Sequence, residues 1–178
     1  RLRLAEKKIY VPADLRNIDL NSDAGEWSYQ RSAKSANVVV FWQKQFGTNP
    51  AQAPDPALRF DASAVLNQAE LIYQHYRSTL QFTGQSSRMD SLRLIIMVYY
   101  QPDWMATGAG YDNMIGALWV NPTALKINSV LAHEIGHCFQ YQVHCDGTYG
   151  YRDQNYVGTF WEQCAQYMSR QLYPAEAL

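Results

Sequence analysis

The sequence has few of the features that mark nucleic-acid binders, membrane proteins and disulfide-rich domains. Fifteen lysines and arginines against sixteen acidic residues give a net charge of -1, so we expect no nucleic-acid partner and no binding to anionic lipid. The longest apolar run, Leu94 to Tyr100, is far shorter than the roughly 20 residues that cross a membrane. Only three cysteines are present, an odd number that forms no dense disulfide framework.

The cysteines are predicted to be free thiols. Cys138 and Cys145 are seven positions apart in the chain. On one helix their Cα atoms would lie about 10 Å apart, beyond the ~7 Å limit for a disulfide. The spacing therefore favours buried thiols over a bridge.

The composition is that of one domain with a sizeable core. Of the 178 residues, 47% are hydrophobic and 17% charged, which excludes a disordered or fibrous chain. Residues 1–24 are polar and irregular and are predicted to form an amino-terminal arm, followed by one domain over residues 25–178. Because the chain opens without a methionine or a signal peptide, we expect a mature form or a domain excised from a longer chain.

The hydrophobic pattern predicts an α+β fold. Apolar, β-branched runs predict strands, and apolar positions three or four apart predict helices. The region 101–113 is rich in glycine and polar residues and is predicted to be a loop. Predicted strands cover residues 37–42, 92–100 and 115–120, and predicted helices cover 62–80 (capped by Asp61), 130–143 (capped by Ser129) and 160–172.

The most informative segment is a His-Glu-x-x-His motif on the second predicted helix. His133 and His137 are four residues apart, so both imidazoles lie on one helix face and can bind one zinc ion. Glu134 lies beside the first ligand, where its carboxylate can act as general base toward a metal-bound water. In a sequence of this composition the motif arises by chance only roughly three times in a thousand.

The third ligand distinguishes two classes of zinc site. A metzincin would carry its third histidine at position 143, which is Val143 here, and His144 is one residue beyond it. On a continuing helix His144 would lie about 10 Å from His137 along the axis, too far to bind the same ion. We therefore interpret His144 as a residue at the rim of the site or at the helix end.

A glutamate from a downstream helix is the other known third ligand. Glu162 follows His137 by 25 residues, which leaves room for a loop and a return helix. The alternative is that Thr159 and Glu162 form a capping box at the start of that helix. We favour Glu162 as ligand, with Asp146 and Asp153 as the remaining candidates.

This arrangement resembles the gluzincin branch of the zincin metallopeptidases. Further segments of the sequence resemble a family of secreted bacterial proteins in which a His-Glu-x-x-His motif precedes a Phe-Trp-Glu helix. These segments are residues 27–32, 38–42, 118–122 and 160–162. The resemblance covers most of residues 25–172. It implies a twisted mixed sheet packed on an active-site helix and a second, glutamate-bearing helix, with Zn²⁺ bound by His133, His137 and Glu162. It also implies a secreted, cell-surface or periplasmic location. Gluzincins often carry an aspartate one turn after the glutamate ligand, where this chain has Gln166.

Other residues are weaker candidates for the site. Tyr149, Tyr151, Tyr156 or His144 is the candidate donor to the oxyanion of a tetrahedral intermediate. The strand 115–120 is the candidate edge strand for substrate, with Gly110 and Gly116 allowing close approach of a peptide. Trp42, Trp104 and Trp119 are candidates for lining a pocket, although core packing is the commoner role of tryptophan.

Together these patterns predict a zinc metallopeptidase that hydrolyses peptide bonds in a protein or peptide substrate, with glycoproteins among the candidate substrates. The competing hypothesis is a binding module on a zincin scaffold, catalytically weak or inactive, which holds glycan or protein through exposed aromatic side chains. An intact Glu134 argues against a purely structural zinc site, since such a site needs no general base.

Overall fold

The protein is a mixed α+β structure built around one five-stranded sheet. The computed structural model describes residues 5–147 and 154–176, with the backbone alone for 154–159. The strands are β1 (Ser32–Lys34), β2 (Val38–Trp42), β3 (Leu94–Val98), β4 (Ala106–Tyr111) and β5 (Ile115–Val120). Their order in the sheet is β1-β2-β3-β5-β4. The three central strands are parallel, and each edge strand pairs antiparallel with its neighbour.

The helices of the described residues pack around this sheet. They are α1 (Ala62–Gln74), which continues as a π-helical turn over His75–Thr79, α2 (Pro122–Leu125), α3 (Asn128–Cys145) and α4 (Gln154–Leu172). Helix α3 contacts β4 and β5 on one side and α4 on the other. The α+β prediction is confirmed, and α3 lies between the sheet and the second long helix.

The sheet centre is apolar, as the sequence pattern predicts. Every residue of β2 and β3 is buried, because an inner strand covered on both faces meets apolar groups on each side. The three predicted strands are confirmed, with β3 two residues shorter at each end than predicted. The predicted free cysteines are also confirmed.

The predicted loop over residues 101–113 is wrong. It contains β4, which pairs with β5 through the hairpin turn Asp112–Asn113. Both residues have φ of 53° and are the central residues of a turn in which the Met114 N–H donates to the Tyr111 carbonyl oxygen at 2.8 Å. This left-handed conformation at both central positions is that of a type I′ turn, and Asp and Asn tolerate it. As a consequence β5 is an inner strand and β4 is the edge strand, so the prediction that residues 115–120 form the edge is also wrong.

Two glycines of the hairpin face the motif helix and leave no opening to a substrate there. A Cβ built on Gly116 would come within 2.8 Å of the Cβ of Cys138, and one on Gly110 within 2.2 Å of the ring of Tyr141. The interpretation of Gly110 and Gly116 as a place for a substrate backbone is therefore wrong. Their lack of a side chain lets the hairpin lie directly on α3.

The prediction for the start of α1 is confirmed, and the starts of α3 and α4 differ from the sequence-based expectations. Asp61 caps α1 by accepting from the backbone N–H of Ser63 at 2.9 Å and of Ala64 at 3.1 Å. Ser129 does not cap α3, which begins at Asn128, and the Ser129 N–H instead donates to Glu176 Oε2 at 2.8 Å. The capping box with Thr159 is wrong because α4 begins at Gln154, so Glu162 lies well inside the helix.

The described part of the predicted amino-terminal arm packs on the domain. Lys8 pairs with Leu92 as an isolated parallel bridge, and Leu15 and Leu20 are buried in the main hydrophobic core. In the described part of the chain, no helix has the length and apolar character that crossing a membrane requires.

Candidate metal centre

Three side chains from α3 and α4 converge at one point. Glu162 Oε2 lies 3.0 Å from His133 Nε2 and 3.3 Å from His137 Nε2. The two histidines are one turn apart on α3, with ring centroids 4.7 Å apart and planes at 87°. All three ligand atoms lie within 4.8 Å of one another, the only such His/Cys/Asp/Glu group among the described residues. The structure thus brings together the three residues that the sequence predicts as ligands.

The register between the two helices is held by contacts beside this cluster. Gly136 faces Ala165, where a built Cβ would lie 3.3 Å from the Ala165 Cα, so the helix axes approach closely. Ser169 Oγ donates to the carbonyl oxygen of Ser129 at 2.7 Å. Glu162 therefore faces the motif histidines because the helix packing places it there.

The orientation of His137 is determined by a buried glutamine. Gln140 Nε2 donates to the carbonyl oxygen of Trp161 at 3.0 Å, so its Oε1 is the acceptor that lies 2.8 Å from His137 Nδ1. The proton of the neutral imidazole is thus on Nδ1, and the lone pair of Nε2 is directed at Glu162. Trp161 stacks on the imidazole at 4.8 Å and 11°, and burial lowers the pKa of His137.

His133 has a corresponding partner on α4. Its Nδ1 lies 3.0 Å from Gln166 Oε1, which is one turn after Glu162. This is the position at which the gluzincin resemblance would place an aspartate. A glutamine oxygen makes the supporting hydrogen bond here, and such contacts orient metal-binding histidines and select their tautomer.

The donor set fits a zinc ion. With both Nδ1 atoms donating to glutamine oxygens, two imidazole lone pairs face a carboxylate oxygen at 3.0 and 3.3 Å. Three acceptors at that spacing repel one another unless a proton or a cation lies between them. Zinc binds such ligands at roughly 2.0–2.1 Å with tetrahedral geometry, which places ligand atoms about 3.3 Å apart.

The edge strand β4 holds Glu134 beside the cluster. The backbone N–H of Gly108 donates to its carboxylate, and burial raises the pKa of Glu134 to about 7, although His133 and this hydrogen bond oppose the rise. A Cβ built on Gly108 would lie 2.1 Å from the Glu134 carbonyl oxygen and 2.8 Å from the His137 Cβ. Only glycine lets β4 approach the motif closely enough for this contact.

Two adjoining cavities open onto the cluster, and both include His133 and Gln166. The first has a volume of about 240 Å³ and is lined by Trp104, Ala106, Val130, His133, Glu134 and Gln166. The second has about 500 Å³ and is lined by His133, Glu162, Gln163, Gln166, Tyr167 and Arg170. A bound molecule that extends past His133 from one cavity into the other would therefore contact both cavities.

The other predicted site residues divide into those the structure describes and those it does not. His144 lies in the last turn of α3 and is half-buried. Asp146 accepts from Ser87 Oγ at 2.5 Å and from the Arg88 N–H at 2.9 Å, so its carboxylate is occupied elsewhere. Tyr149, Tyr151 and Asp153 lie outside the described residues, as does the side chain of Tyr156. The oxyanion donor stays a prediction.

The tryptophans have three different environments. Trp42 is buried in the core. Trp119 is half-buried and donates to Tyr111 Oη at 2.9 Å. Trp104 is 56% exposed and lines the cavity beside His133, so of these three candidates it is the one that reaches the site.

Three residues that support the site are not predicted as site residues from the sequence. Gln140 follows His137 by three positions on the same helix, and that spacing places the two side chains on one face. A polar residue there is a signal that the sequence does contain. Gly108 and Arg170 carry no such signal, since their positions depend on how β4 and α4 pack against α3.

The fold and the site together define an α+β domain with a His-Glu-x-x-His helix and a candidate metal centre completed by a second helix. The chain belongs to the family of unknown function DUF6055, which matches residues 2–178. No curated protein and no solved structure matches the chain.

Proposed function

We propose that the protein is a zinc-dependent hydrolase of peptide bonds, with His133, His137 and Glu162 as the zinc ligands. The observation that carries the proposal is the convergence of three acceptor atoms within 4.8 Å, beside the carboxylate of Glu134. When bound, zinc would supply a Lewis acid that polarises a substrate carbonyl and acidifies a water molecule.

Glu134 is the residue to which we assign the proton transfers. Its side chain lines the cavity next to His133 and is held by the Gly108 N–H. As general base it takes a proton from the attacking water, and as general acid it gives that proton to the leaving nitrogen. A fixed carboxylate is required for both steps, and the edge strand holds it in place.

The remaining residues orient the ligands. Gln140 and Gln166 hold the Nδ1 side of the two imidazoles, so that each Nε2 faces the cluster without rearrangement. Glu162 is 58% exposed, which leaves the outer side of the cluster open to a substrate. A closed, four-ligand structural site would have no such opening.

The proposal is tested by metal analysis combined with peptide cleavage. The purified protein should contain about one zinc per chain, and zinc should be lost from His137→Ala and Glu162→Ala. Incubation with a mixed peptide library, followed by mass spectrometry, should show cleavage that a chelator abolishes and added zinc restores. Zinc retained in Glu162→Ala would overturn the ligand set.

The second candidate function is a binding module on the same scaffold. The observation in its favour is the exposure of aromatic side chains beside the site, 56% for Trp104 and 66% for Tyr167, because such rings contact sugars and peptides. Zinc binding without cleavage, together with binding of a glycan or a protein, would favour this function. A location outside the cytoplasm rests on the resemblance alone and stays a prediction.

A further inference from the structure

The second cavity beside the candidate metal centre differs from the first in its charge. Among the described residues that line the two cavities, Arg170 carries the only fixed positive charge, and Glu134 and Glu162 carry the negative ones. Binding of a divalent zinc ion would offset both carboxylates, so the charge of the Arg170 guanidinium would remain. The loaded site is therefore complementary to an anionic ligand on the Arg170 side.

The spacing of Glu162 and Arg170 along α4 sets the distance between the candidate metal centre and the positively charged residue. Glu162, Gln166 and Arg170 occur at every fourth position of α4, so they follow one another along one face of the helix. Eight residues of helix correspond to about 12 Å, which an extended peptide covers in roughly three or four residues at 3.3–3.6 Å each.

The surface between these two residues is suited to a peptide chain. Tyr167 is 66% exposed and lines the same cavity as Arg170, so its ring offers an apolar face on the path between the metal centre and the guanidinium. Gln163 and Gln166 line the path as well and provide amide groups that can hydrogen-bond to a peptide backbone.

Resting on the proposed function, we infer that the substrate is a peptide with a carboxylate three or four residues from the scissile bond, which pairs with Arg170. A guanidinium binds a carboxylate through two parallel hydrogen bonds. An aspartate or glutamate side chain and a free chain terminus present the same group, and the experiment below separates them.

The test uses the zinc-loaded full chain and synthetic peptides built around a cleaved sequence from the library. Each peptide carries Glu, Gln or Lys at two, three, four or five residues on either side of the scissile bond, with free or amidated carboxyl termini. We expect Glu at three or four residues on one side to raise kcat/KM about fivefold over Gln, as for a partly exposed ion pair. If amidation alone removes the preference, the carboxylate is the chain terminus.

Arg170 variants assign the preference to this side chain. Arg170→Gln should abolish the Glu preference, Arg170→Lys should keep part of it, and Arg170→Glu should shift it toward Lys. Arg59→Gln is the matched control, because Arg59 is also exposed and lines a separate cavity of about 400 Å³ that includes neither His133 nor Glu162. The control should keep the preference of the wild type.

The outcomes separate this inference from the proposed function. Cleavage with no charge preference, or a preference unchanged in Arg170→Gln, would overturn the inference and leave the hydrolase intact. If nothing is cleaved, fluorescence anisotropy with labelled Glu-rich and Gln-rich hexapeptide pools takes the place of kinetics. Arg170-dependent binding of the Glu-rich pool would then support the pairing of a peptide carboxylate with Arg170 and count against the hydrolase, and equal binding of both pools would overturn that pairing.

Discussion

Gln140 Nε2 donates to the carbonyl oxygen of Trp161 at 3.0 Å, across the interface of the two helices that carry the candidate ligands. The same side chain accepts from His137 Nδ1 at 2.8 Å. One buried amide thereby sets both the tautomer of a candidate ligand on α3 and the position of the residue that precedes Glu162 on α4. The geometry of the candidate metal centre depends on Gln140 although Gln140 does not belong to the motif.

Replacing Gln140 should weaken zinc binding. Gln140→Leu removes the acceptor for His137 Nδ1 and the donor to Trp161, and loss of such a supporting contact typically costs 10–100-fold in metal affinity. Competition with a chromophoric chelator measures the affinity. Gln142→Leu is the control, because Gln142 is equally buried on the same helix but accepts from the Gly116 N–H. Equal zinc affinity in Gln140→Leu and the wild type would contradict the assigned role.

Zinc should stabilise the folded protein. The cluster contains three acceptors that repel one another without a cation, so an ion that binds only the folded state raises its stability. The increase is about 2.7 kcal/mol at a free zinc concentration one hundred times Kd. Thermal unfolding with and without zinc measures the shift in Tm. Removal of one of the three acceptors in Glu162→Ala should abolish most of this shift, and an equal shift in that variant would place the ion elsewhere.

Gly108 should tolerate no side chain. The Cβ of Gly108→Ala would lie 2.1 Å from the Glu134 carbonyl oxygen, and relief of such overpacking typically costs about 1–3 kcal/mol. Denaturant unfolding measures the loss of stability. In the control Gly84→Ala, no atom lies within 4 Å of the new Cβ, so we expect the free energy of unfolding to change by less than about 0.5 kcal/mol. Equal stability of the two variants would refute the close approach of β4.

The carboxyl-terminal region should stabilise the motif helix through Glu176. Its Oε2 accepts from the Ser129 N–H at 2.8 Å, in the first turn of α3, where Ile127 provides no side-chain cap. Glu176→Ala should therefore lower the free energy of unfolding by about 1 kcal/mol, as loss of a helix cap does. Asp61→Ala, which removes the cap of α1, provides the comparison of magnitude. No loss in Glu176→Ala would show that water replaces the contact.

The parts of the fold that could be predicted are those set by local patterns. The apolar runs of β2 and β3 are buried on both faces, and the spacing of His133 and His137 follows from helix geometry alone. The convergence of Glu162 with the two histidines could be predicted because few acidic residues follow the motif. For the strands and the histidine pair the signal lies within a few residues of the feature.

The parts that could not be predicted depend on distant contacts. Strand β4 has the sequence Ala-Thr-Gly-Ala-Gly-Tyr, in which Gly108 and Gly110 lower strand propensity but are needed against α3. The start of α3 is capped by Glu176, which is 47 residues away in the chain. Gln166 replaces an expected aspartate and still contacts His133, because an amide oxygen meets the same geometric requirement.

The most direct test of the account compares the wild type with Glu134→Gln. Both proteins are loaded with zinc, their metal content is measured, and their cleavage of the same peptide library is quantified. The account predicts about one zinc per chain in both and loss of cleavage by at least about a hundredfold in the variant, since a glutamine cannot transfer the proton. Cleavage by zinc-loaded Glu134→Gln at the rate of the wild type would contradict the account.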